Sequence, residues 1–510
     1  MVDIKTIDKI KQYIDNNQFE DAEKLISEVY DKNSSEKLAP LLALAKSYLG
    51  KYDEALKIFE LIINNEKNQL PEIYDRLITC CNCLKLRDKA FIHAESFYKK
   101  FPNNEKAMSQ YVYTMMYIGK VKEAEDLCAE LLSKYPDCES LLIRMGILIE
   151  LNHCNDELAK KCYERVIELN PENLNGYNNL AIVLSKLGKY KEAEDLYKKI
   201  LEVSPNSKDI KKSLGLLFLK QRNFNDGYKN FIQRPLKGSE HNIKTFWNGE
   251  KVEELSVVCD QGFGDHIHFV RYLPFLKEKA KKINVYCYKG LTKLFENNYG
   301  EEGVISFYDD NGAFPDIPTV LITNLAYFLD MDFDNIPFKN GYLNCDEEKF
   351  NLYKTKYFNN KKLKIGICWE AGATEVRELI HKSISINSLE PVLNLSKDKY
   401  EFYSFQARPL NDEYKKYELK DLGTGFNNFD DTAAAMKNLD MLITVDTANA
   451  HLAGALGINT IMLLPYCPDW RWFDNTEKTE WYNSLKIIKQ EDCKTWNPEI
   501  QKIKMLIQNL

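Results

Sequence analysis

The sequence predicts an α-solenoid of helical hairpins followed by an α/β region built as two doubly wound lobes. Three observations predict it. A small residue recurs every 33 to 35 positions through the first part of the chain. After Gly238 this helical repeat gives way to short β-rich runs alternating with amphipathic stretches. That alternation then occurs twice in succession, which implies two sheets covered by helices. At 510 residues the chain is long enough for about three domains, because one core rarely exceeds ~250–300 residues. The corresponding boundaries are 1–236 for the solenoid, 237–350 for a first lobe and 351–510 for a second.

The repeat is marked at three positions. Ala22, Ala55, Ala90, Ala124, Ala159 and Ala193 open the second helix of successive units, with gaps of 33, 35, 34, 35 and 34. Pro102, Pro136, Pro171 and Pro205 each follow the last four alanines by twelve residues, and Gly50, Gly119 and Gly188 precede theirs by five. Alanine lets two helix backbones approach where a larger side chain would wedge them apart. Proline cannot continue a helix interior, so it separates units. Glycine takes the turn conformation that other residues resist. The unit from Leu180 to Pro205 is close to the tetratricopeptide repeat (TPR) pattern, and a seventh, degenerate unit carries Gly227 in the alanine position and ends at Pro235. Six to seven stacked hairpins of this kind form a superhelix whose concave face binds a peptide or partner.

Bulk composition narrows the class. Lys and Arg number 69 against 76 Asp and Glu, a net charge of −7 with no long block of either sign, which disfavours a nucleic-acid partner. No run approaches the ~18 apolar residues of a membrane span. The opening MVDIKTIDKIKQYIDNN lacks the apolar core of a signal peptide, so the chain reads as cytoplasmic. Cys80, Cys81 and Cys83 lack a second pair at zinc-binding spacing and read as thiols on a helix.

In the first lobe, strands are expected near Leu255–Cys259, Ile283–Tyr288, Val304–Tyr308 and Thr319–Ile322. In the second they are expected near Leu363–Trp369, Glu401–Phe405, Met441–Val445 and Thr460–Leu464, with helices near Ser385–Leu395, Asp430–Leu439 and Ala448–Leu456. The segment near Asp346–Asn360 joins the lobes. Ligands of such sheets bind at the carboxyl ends of the strands. The first strand runs into Cys259-Asp260-Gln261-Gly262-Phe263-Gly264-Asp265, where two glycines would let backbone amides approach a ligand at a helix start that favours an anion. Asp265 is the carboxylate inside that helix start; the bland reading is an N-terminal cap on a structural turn. The strand ending in Val445 delivers Asp446-Thr447-Ala448-Asn449-Ala450-His451, in which amides and a hydroxyl would hold a phosphate with an imidazole one turn on. Here the bland reading is a capped helix with a packed histidine. Between these lie Trp369-Glu370-Ala371-Gly372 and then Arg377, His381 and Lys382, cations suited to a diphosphate, while Gln406 ends the next strand and could read a base or sugar. No GxxxxGK[ST] and no GxSxG occurs, which argues against a P-loop nucleotide hydrolase and an α/β-hydrolase.

The stretches DQGFGDHIHFVRYLPFL, DTAAAMKNLDMLITVDTANAHLAGALG and LLPYCPDWRW together resemble TPR-fused glycosyltransferases of the heptosyltransferase-like family, glycosyltransferase family 9. The resemblance covers most of residues 247–510. It implies a GT-B fold of two Rossmann-like lobes, with a nucleotide-diphosphate sugar mainly on the second lobe and the acceptor mainly on the first. It also implies an inverting transfer with no metal and no cofactor beyond the donor substrate. By that likeness Asp265 is the general base, Lys382 sits at the donor phosphates, and Asp446, Thr447, Ala448 and His451 line the donor pocket; the strand-end positions of Gly262, Gly264, Trp369 and Gln406 add them to the expected donor site. The chemistry is coherent, since an inverting displacement needs a carboxylate beside the acceptor hydroxyl and cations or amides on the departing diphosphate. The chain departs from the family pattern at His266 and His268 and in an acidic loop, Glu370–Ile380, which leaves Arg377 and Lys382 to clamp the phosphates. Two histidines two apart on a helix do not share a face, so they do not form a metal-chelating pair. Asp330-Met331-Asp332-Phe333-Asp334 reads as a solvated acidic turn.

The expected function is therefore transfer of a sugar to a protein or glycan acceptor presented by the repeat arm. An inactive GT-B interaction protein that only binds a nucleotide or nucleotide sugar is the alternative. A nucleotide-sugar hydrolase or epimerase shares the donor site but needs no arm.

Overall fold

A computed structural model describes residues 4–29, 35–64, 70–236, 238–372, 381–408, 412–473 and 477–509, and the chain divides into two compact units, Met1–Leu187 and Gly188–Leu510.

In the first unit, helices pair as Ile4–Asp15 with Phe19–Val29, Ser35–Tyr48 with Tyr52–Ile63, Pro71–Cys83 with Arg87–Lys100, Glu105–Tyr117 with Val121–Lys134 and Glu139–His153 with Asp156–Leu169. Leu174–Lys186 follows. Ala22, Ala55, Ala90, Ala124 and Ala159 each fall at the fourth residue of a second helix and are fully buried. The turn between paired helices is left-handed in every unit, glycine or not. Gly50 and Gly119 have φ of +76 and +85, while Asn17, Lys85 and Cys154 take φ of +58, +60 and +44 at the same offset before their alanines. Glycine is thus the comfortable choice at a geometry that the packed alanines impose. Cys80 and Cys81 are buried thiols of the Pro71–Cys83 helix.

The second unit opens with helices Tyr190–Val203, Lys208–Lys220 and Phe224–Phe231. Ala193 is again fully buried, and Arg222 repeats the left-handed turn with φ of +65. The last two helices cross at their glycines. A β-carbon on Gly227 would lie 2.7 Å from the Leu219 side chain, and one on Gly215 would lie 2.7 Å from Phe231 N. Glycine replaces alanine here because the backbones come closer still.

Two parallel sheets follow. The first contains β1 (Val252–Val258), β2 (Ala280–Cys287), β3 (Ile305–Asp309) and β4 (Thr319–Leu321) in the order β3-β2-β1-β4. The second contains β5 (Leu363–Cys368), β6 (Tyr400–Ser404), β7 (Lys420–Asp421), β8 (Met441–Val445), β9 (Thr460–Leu464) and β10 (Leu485–Lys489) in the order β10-β9-β8-β5-β6-β7. β8 and β9 are buried throughout, as strands covered on both faces must be. Strand order reverses beside β1 and beside β5, and such switch points open the crevices where ligands of parallel sheets bind.

Several expectations are corrected. The segment Ser385–Leu395 is not one helix. It is a tight turn, Ile386–Leu389, followed by Glu390–Leu393, with Pro391 at the join. The connection near 346–360 holds a helix, Glu347–Tyr357, capped by Asp346, whose carboxylate accepts from Lys349 N at 2.9 Å. Strands β7 and β10 and the helix Asn497–Gln508 were not anticipated. The acidic run at 330–334 is a turn with exposed carboxylates, as expected, closed on Asp332, whose Oδ1 accepts from Asp334 N and Asn335 N.

The last repeat helix belongs to the α/β core. Phe224, Tyr228 and Phe231 share one apolar cluster with β1 residues Leu255 and Val257 and with Trp470 and Trp481. Beside them Arg234 forms a fully buried ion pair with Asp260, at the end of β1. Its guanidinium also donates to Asn324 Oδ1 and Thr323 Oγ1, both at 2.6 Å, and Asp260 accepts from Thr323 N and Oγ1. Among the described residues, Arg234 Nε is the buried side-chain nitrogen of this knot that makes no hydrogen bond. No described helix is long and apolar enough to cross a membrane.

Candidate functional site

The turns after β1 and β8 meet. From β1 the chain passes through Gln261 at φ of +69; its backbone carbonyl accepts from Tyr288 OH at 2.9 Å, and its side-chain Nε2 donates to Asp260 Oδ2. The short helix Phe263–Phe269 then begins. From β8 the chain passes through Asp446 and Thr447 into the helix Ala448–Leu456. Thr447 caps that helix, accepting from Asn449 N at 3.2 Å. Asn449 in turn donates to Phe405 O at 3.2 Å, which ties the cap to the end of β6.

The two helices press against each other at Gly264. A β-carbon there would lie 2.9 Å from His451 Cδ2 and 3.6 Å from Ala448 Cα. Gly264 therefore sets the spacing of the two helices. Gly262 donates its N–H to Asp265 Oδ2 at 3.1 Å. The Gly262 N–H at the start of this helix is thus engaged by the helix's own carboxylate.

The other oxygen of Asp265, Oδ1, accepts from Arg471 Nη2. Arg471 lies in the loop after β9, and its second terminal nitrogen donates to Asp469 Oδ1 at 2.7 Å. Burial raises the Asp265 carboxyl above its ordinary value against the opposing pull of Arg471. For Asp469, burial also works upward, but Arg471 and Lys382 outweigh it and hold the carboxyl low. The Arg471 side chain lies over the Trp470 ring, 4.7 Å from its centroid. Lys382 Nζ lies 3.3 Å from Asp446 Oδ2, an ion pair at the start of the capped helix.

Below this polar layer sits a histidine–tyrosine knot. Tyr482 OH lies 2.9 Å from His451 Nδ1 and 3.2 Å from His268 Nδ1. One hydroxyl can donate only once, so one imidazole carries its proton on Nδ1. Burial first, then the nearby arginines, hold both histidines well below their ordinary pKa, so both are neutral. Gly454 makes room for this arrangement, since a β-carbon would fall 2.3 Å from the Tyr482 ring. His451 also stacks on Trp472 at 5.2 Å. His266 turns away into the first lobe, its ring 4.4 Å from that of Tyr288.

Asp265, Lys382, Asp446, Thr447, Ala448 and His451 are thus brought together, with Gly262 and Gly264 as framework. Trp369 is not at the surface of this site. Its indole is buried in the second-lobe core, and its carbonyl accepts from Ile384 N. The Gln406 amide is committed to the backbone of Glu370, accepting from its N–H at 3.1 Å and donating to its C=O at 3.2 Å. Gln406 therefore shapes the loop after β5. Arg377 lies outside the described residues. Arg471, Asp469 and Tyr482 were not assigned from sequence, although the first two stand in the quoted segment LLPYCPDWRW. Arg471 meets Asp265 across 206 positions and Tyr482 meets His268 across 214, beyond any local pattern.

Comparison with known proteins places part of the chain. A tetratricopeptide-repeat family profile matches residues 162–195. The chain is similar to the protein FlbA of Caulobacter vibrioides, 21% identical over 98% of this chain and 90% of that protein. It is 30% identical to the human protein O-mannosyl-transferase TMTC3 over 26% of this chain and 15% of that protein. Among solved structures, a thermophilic TPR protein of Thermus thermophilus matches over 36% of this chain and 99% of its own, with 20% identity and a TM-score of 0.33. The chain carries tetratricopeptide repeats ahead of a region of parallel sheets.

Proposed function

We propose that the second unit is a GT-B glycosyltransferase of the inverting, metal-independent kind, moving a sugar from a nucleotide-diphosphate donor to a protein or glycan acceptor held by the repeat arm. One observation carries this reading. Two strand-to-helix turns, from separate parallel sheets, bring a carboxylate and a cationic, amide-lined helix start to the same place. The similarity over part of the chain to a protein named as an O-mannosyl-transferase agrees with the class.

In this scheme the acceptor hydroxyl gives its proton to Asp265 as its oxygen bonds to the anomeric carbon. The bond from that carbon to the phosphate oxygen breaks on the opposite face, and the electron pair leaves on the diphosphate. Lys382, Thr447 and the first amides of the Ala448–Leu456 helix meet that charge, where helix polarity favours an anion. A raised carboxyl pKa brings Asp265 closer to the value that makes an effective base near neutral pH.

A thermal-shift screen of nucleoside diphosphates and their sugars tests the donor site, because a ligand of the native state raises the melting temperature. Transfer from the responding donor should then fall by roughly 10²–10⁴-fold in Asp265→Asn. Undiminished transfer would remove Asp265 from the base role. A second reading, ligand binding without turnover, is favoured by one detail: both oxygens of Asp265 are already engaged, by Gly262 N and Arg471. Binding with neither transfer nor donor hydrolysis would select it.

A further inference from the structure

Asp265 and Arg471 come from different lobes and lie 206 positions apart, yet their side chains form a hydrogen-bonded ion pair at the centre of the site. Arg471 is well placed to control the carboxylate. The indole of Trp481 donates to Arg471 O at 2.6 Å and fixes the backbone, while Asp469 fixes the guanidinium from the other side. The Nε–H of Arg471 is buried and makes no hydrogen bond among the described residues, so one donor remains for an anion. The other charged or titratable groups nearby are Lys382, whose charge is felt at Asp469 and His451, with its partner Asp446, Asp260 on the β1 side, Arg271, the Tyr228 hydroxyl facing Arg471, and the neutral imidazoles of His268 and His451.

We propose that Arg471 is a positioning residue for Asp265, aiming one carboxylate oxygen and keeping it ionised, with Asp469 as the counterweight that limits this hold. The proposal rests on the glycosyl-transfer reading and adds to it the residue that links the two lobes' contributions. Arg471 bridges two carboxylates, so removing either partner shifts its grip on the other. Without the guanidinium, the Gly262 N–H is left to oppose burial, and Asp265 takes up a proton more readily. Without Asp469, the full charge of Arg471 falls on Asp265, and the carboxyl protonates less readily. A residue with only a packing role would not move the titration in opposite directions through these two substitutions.

The experiment is the pH profile of kcat/KM, whose acid limb reports the free enzyme's base, measured on the full chain with the responding donor. Arg471→Gln should shift the acid limb to higher pH and lower the rate at pH 6 by roughly tenfold or more, with a smaller loss at pH 8. Arg471→Lys should return the limb toward its original position. Asp469→Asn should shift it to lower pH. A limb that stays in place in Arg471→Gln and Asp469→Asn, with melting temperature and nucleotide binding preserved, overturns the proposal. Should Arg471→Gln fail to fold, Arg471→Lys and Asp469→Asn decide it. Titration of the Asp265 carboxyl by NMR in carboxyl-labelled protein, with the signal identified through Asp265→Asn, reads the same shifts without turnover. The glycosyl-transfer reading can therefore fail through absent transfer while the coupling is still confirmed or refuted.

Discussion

Gly264 and His451 hold the two halves of the site at contact distance: a β-carbon on Gly264 would lie 2.9 Å from the imidazole Cδ2. His451 cannot retreat easily, because its ring is stacked on Trp472 and its Nδ1 is bonded to Tyr482 OH. Gly264→Ala is expected to push the helices Phe263–Phe269 and Ala448–Leu456 apart by a few tenths of an ångström. Overpacking of this kind costs about 1–3 kcal/mol, read as a lower urea midpoint of the second unit. Donor binding should weaken as well, because Thr447 and Lys382 move with the displaced helix. An unchanged midpoint and affinity would show that the contact relaxes freely.

Arg234 and Asp260 give a second, independent prediction. Both side chains are essentially without solvent exposure, so removing one strands a buried charge on the other. Arg234→Met is expected to destabilise the second unit by about 3–5 kcal/mol, whereas the double variant Arg234→Met/Asp260→Asn recovers part of that loss. Denaturation of the single and double variants measures the coupling directly. The same pair predicts where the chain tolerates a cut. A fragment starting at Gly188 keeps Arg234 and the Phe224–Phe231 helix and is expected to fold. One starting after Pro235 exposes the cluster around Trp470 and Trp481 and leaves Asp260 unpaired, and is expected to aggregate.

The left-handed turn at Lys85 predicts a gain in stability. Its φ of +60 strains a lysine but not a glycine, and the matched positions Gly50 and Gly119 show which residue suits the turn. Strain of this kind is worth about 1–2 kcal/mol, offset by about 0.5–1 kcal/mol of glycine's greater chain entropy. Lys85→Gly should therefore stabilise the first unit by up to about 1 kcal/mol, visible as a higher melting temperature by circular dichroism.

Local rules made the repeats and most of the strands legible. The alanine period falls at the fourth residue of each second helix because close helix packing needs a small side chain at a fixed height, and that demand repeats along the chain. Strands β8 and β9 are found at the expected residues because buried parallel strands are continuous apolar runs. The two-residue strand β7 and the edge strand β10 carry weaker signals, and β10 reads Leu-Lys-Ile-Ile-Lys with two lysines breaking its run. In the site, residues on the turns after β1 and β8 could be picked from sequence because strand ends are where chemistry collects. Their partners could not. Arg471 and Tyr482 stand in the chain after β9, and their contacts to Asp265 and His268 arise only where the two sheet regions pack together. Trp369 and Gln406 show the opposite limit: both stand at strand ends, yet one turns into the core and the other onto the Glu370 backbone, a choice set by packing and not by local sequence.

Three buried histidines make the second unit acid-sensitive, and the sign follows from their pKa values. Burial lowers His266 from its ordinary 6.5 to about 4 and holds His268 and His451 well below 6.5, the latter two helped by nearby arginines. In the unfolded chain each regains the ordinary value. Between that value and the folded one, the unfolded state therefore binds more protons, and stability falls as pH drops below about 6.5. Each group contributes at most about 1.4 kcal/mol per pH unit, so the three together approach about 4 kcal/mol per unit. Asp265 acts in the opposite direction, since its folded pKa is raised and it favours the folded state as pH falls, but it is one group against three. All six tryptophans lie in residues 188–510, so tryptophan fluorescence in urea reports this unit alone. The midpoint should be flat from pH 8 to 7 and fall steeply from pH 6.5 to 5. His266→Phe isolates one contribution, because among the described residues neither ring nitrogen of His266 makes a well-formed hydrogen bond and the ring packs on Tyr288. Phenylalanine keeps that packing without a titrating group. The variant should match or exceed the parent at pH 8 and gain on it progressively toward pH 5. Parallel curves for the two proteins would mean that His266 does not titrate on unfolding in this range.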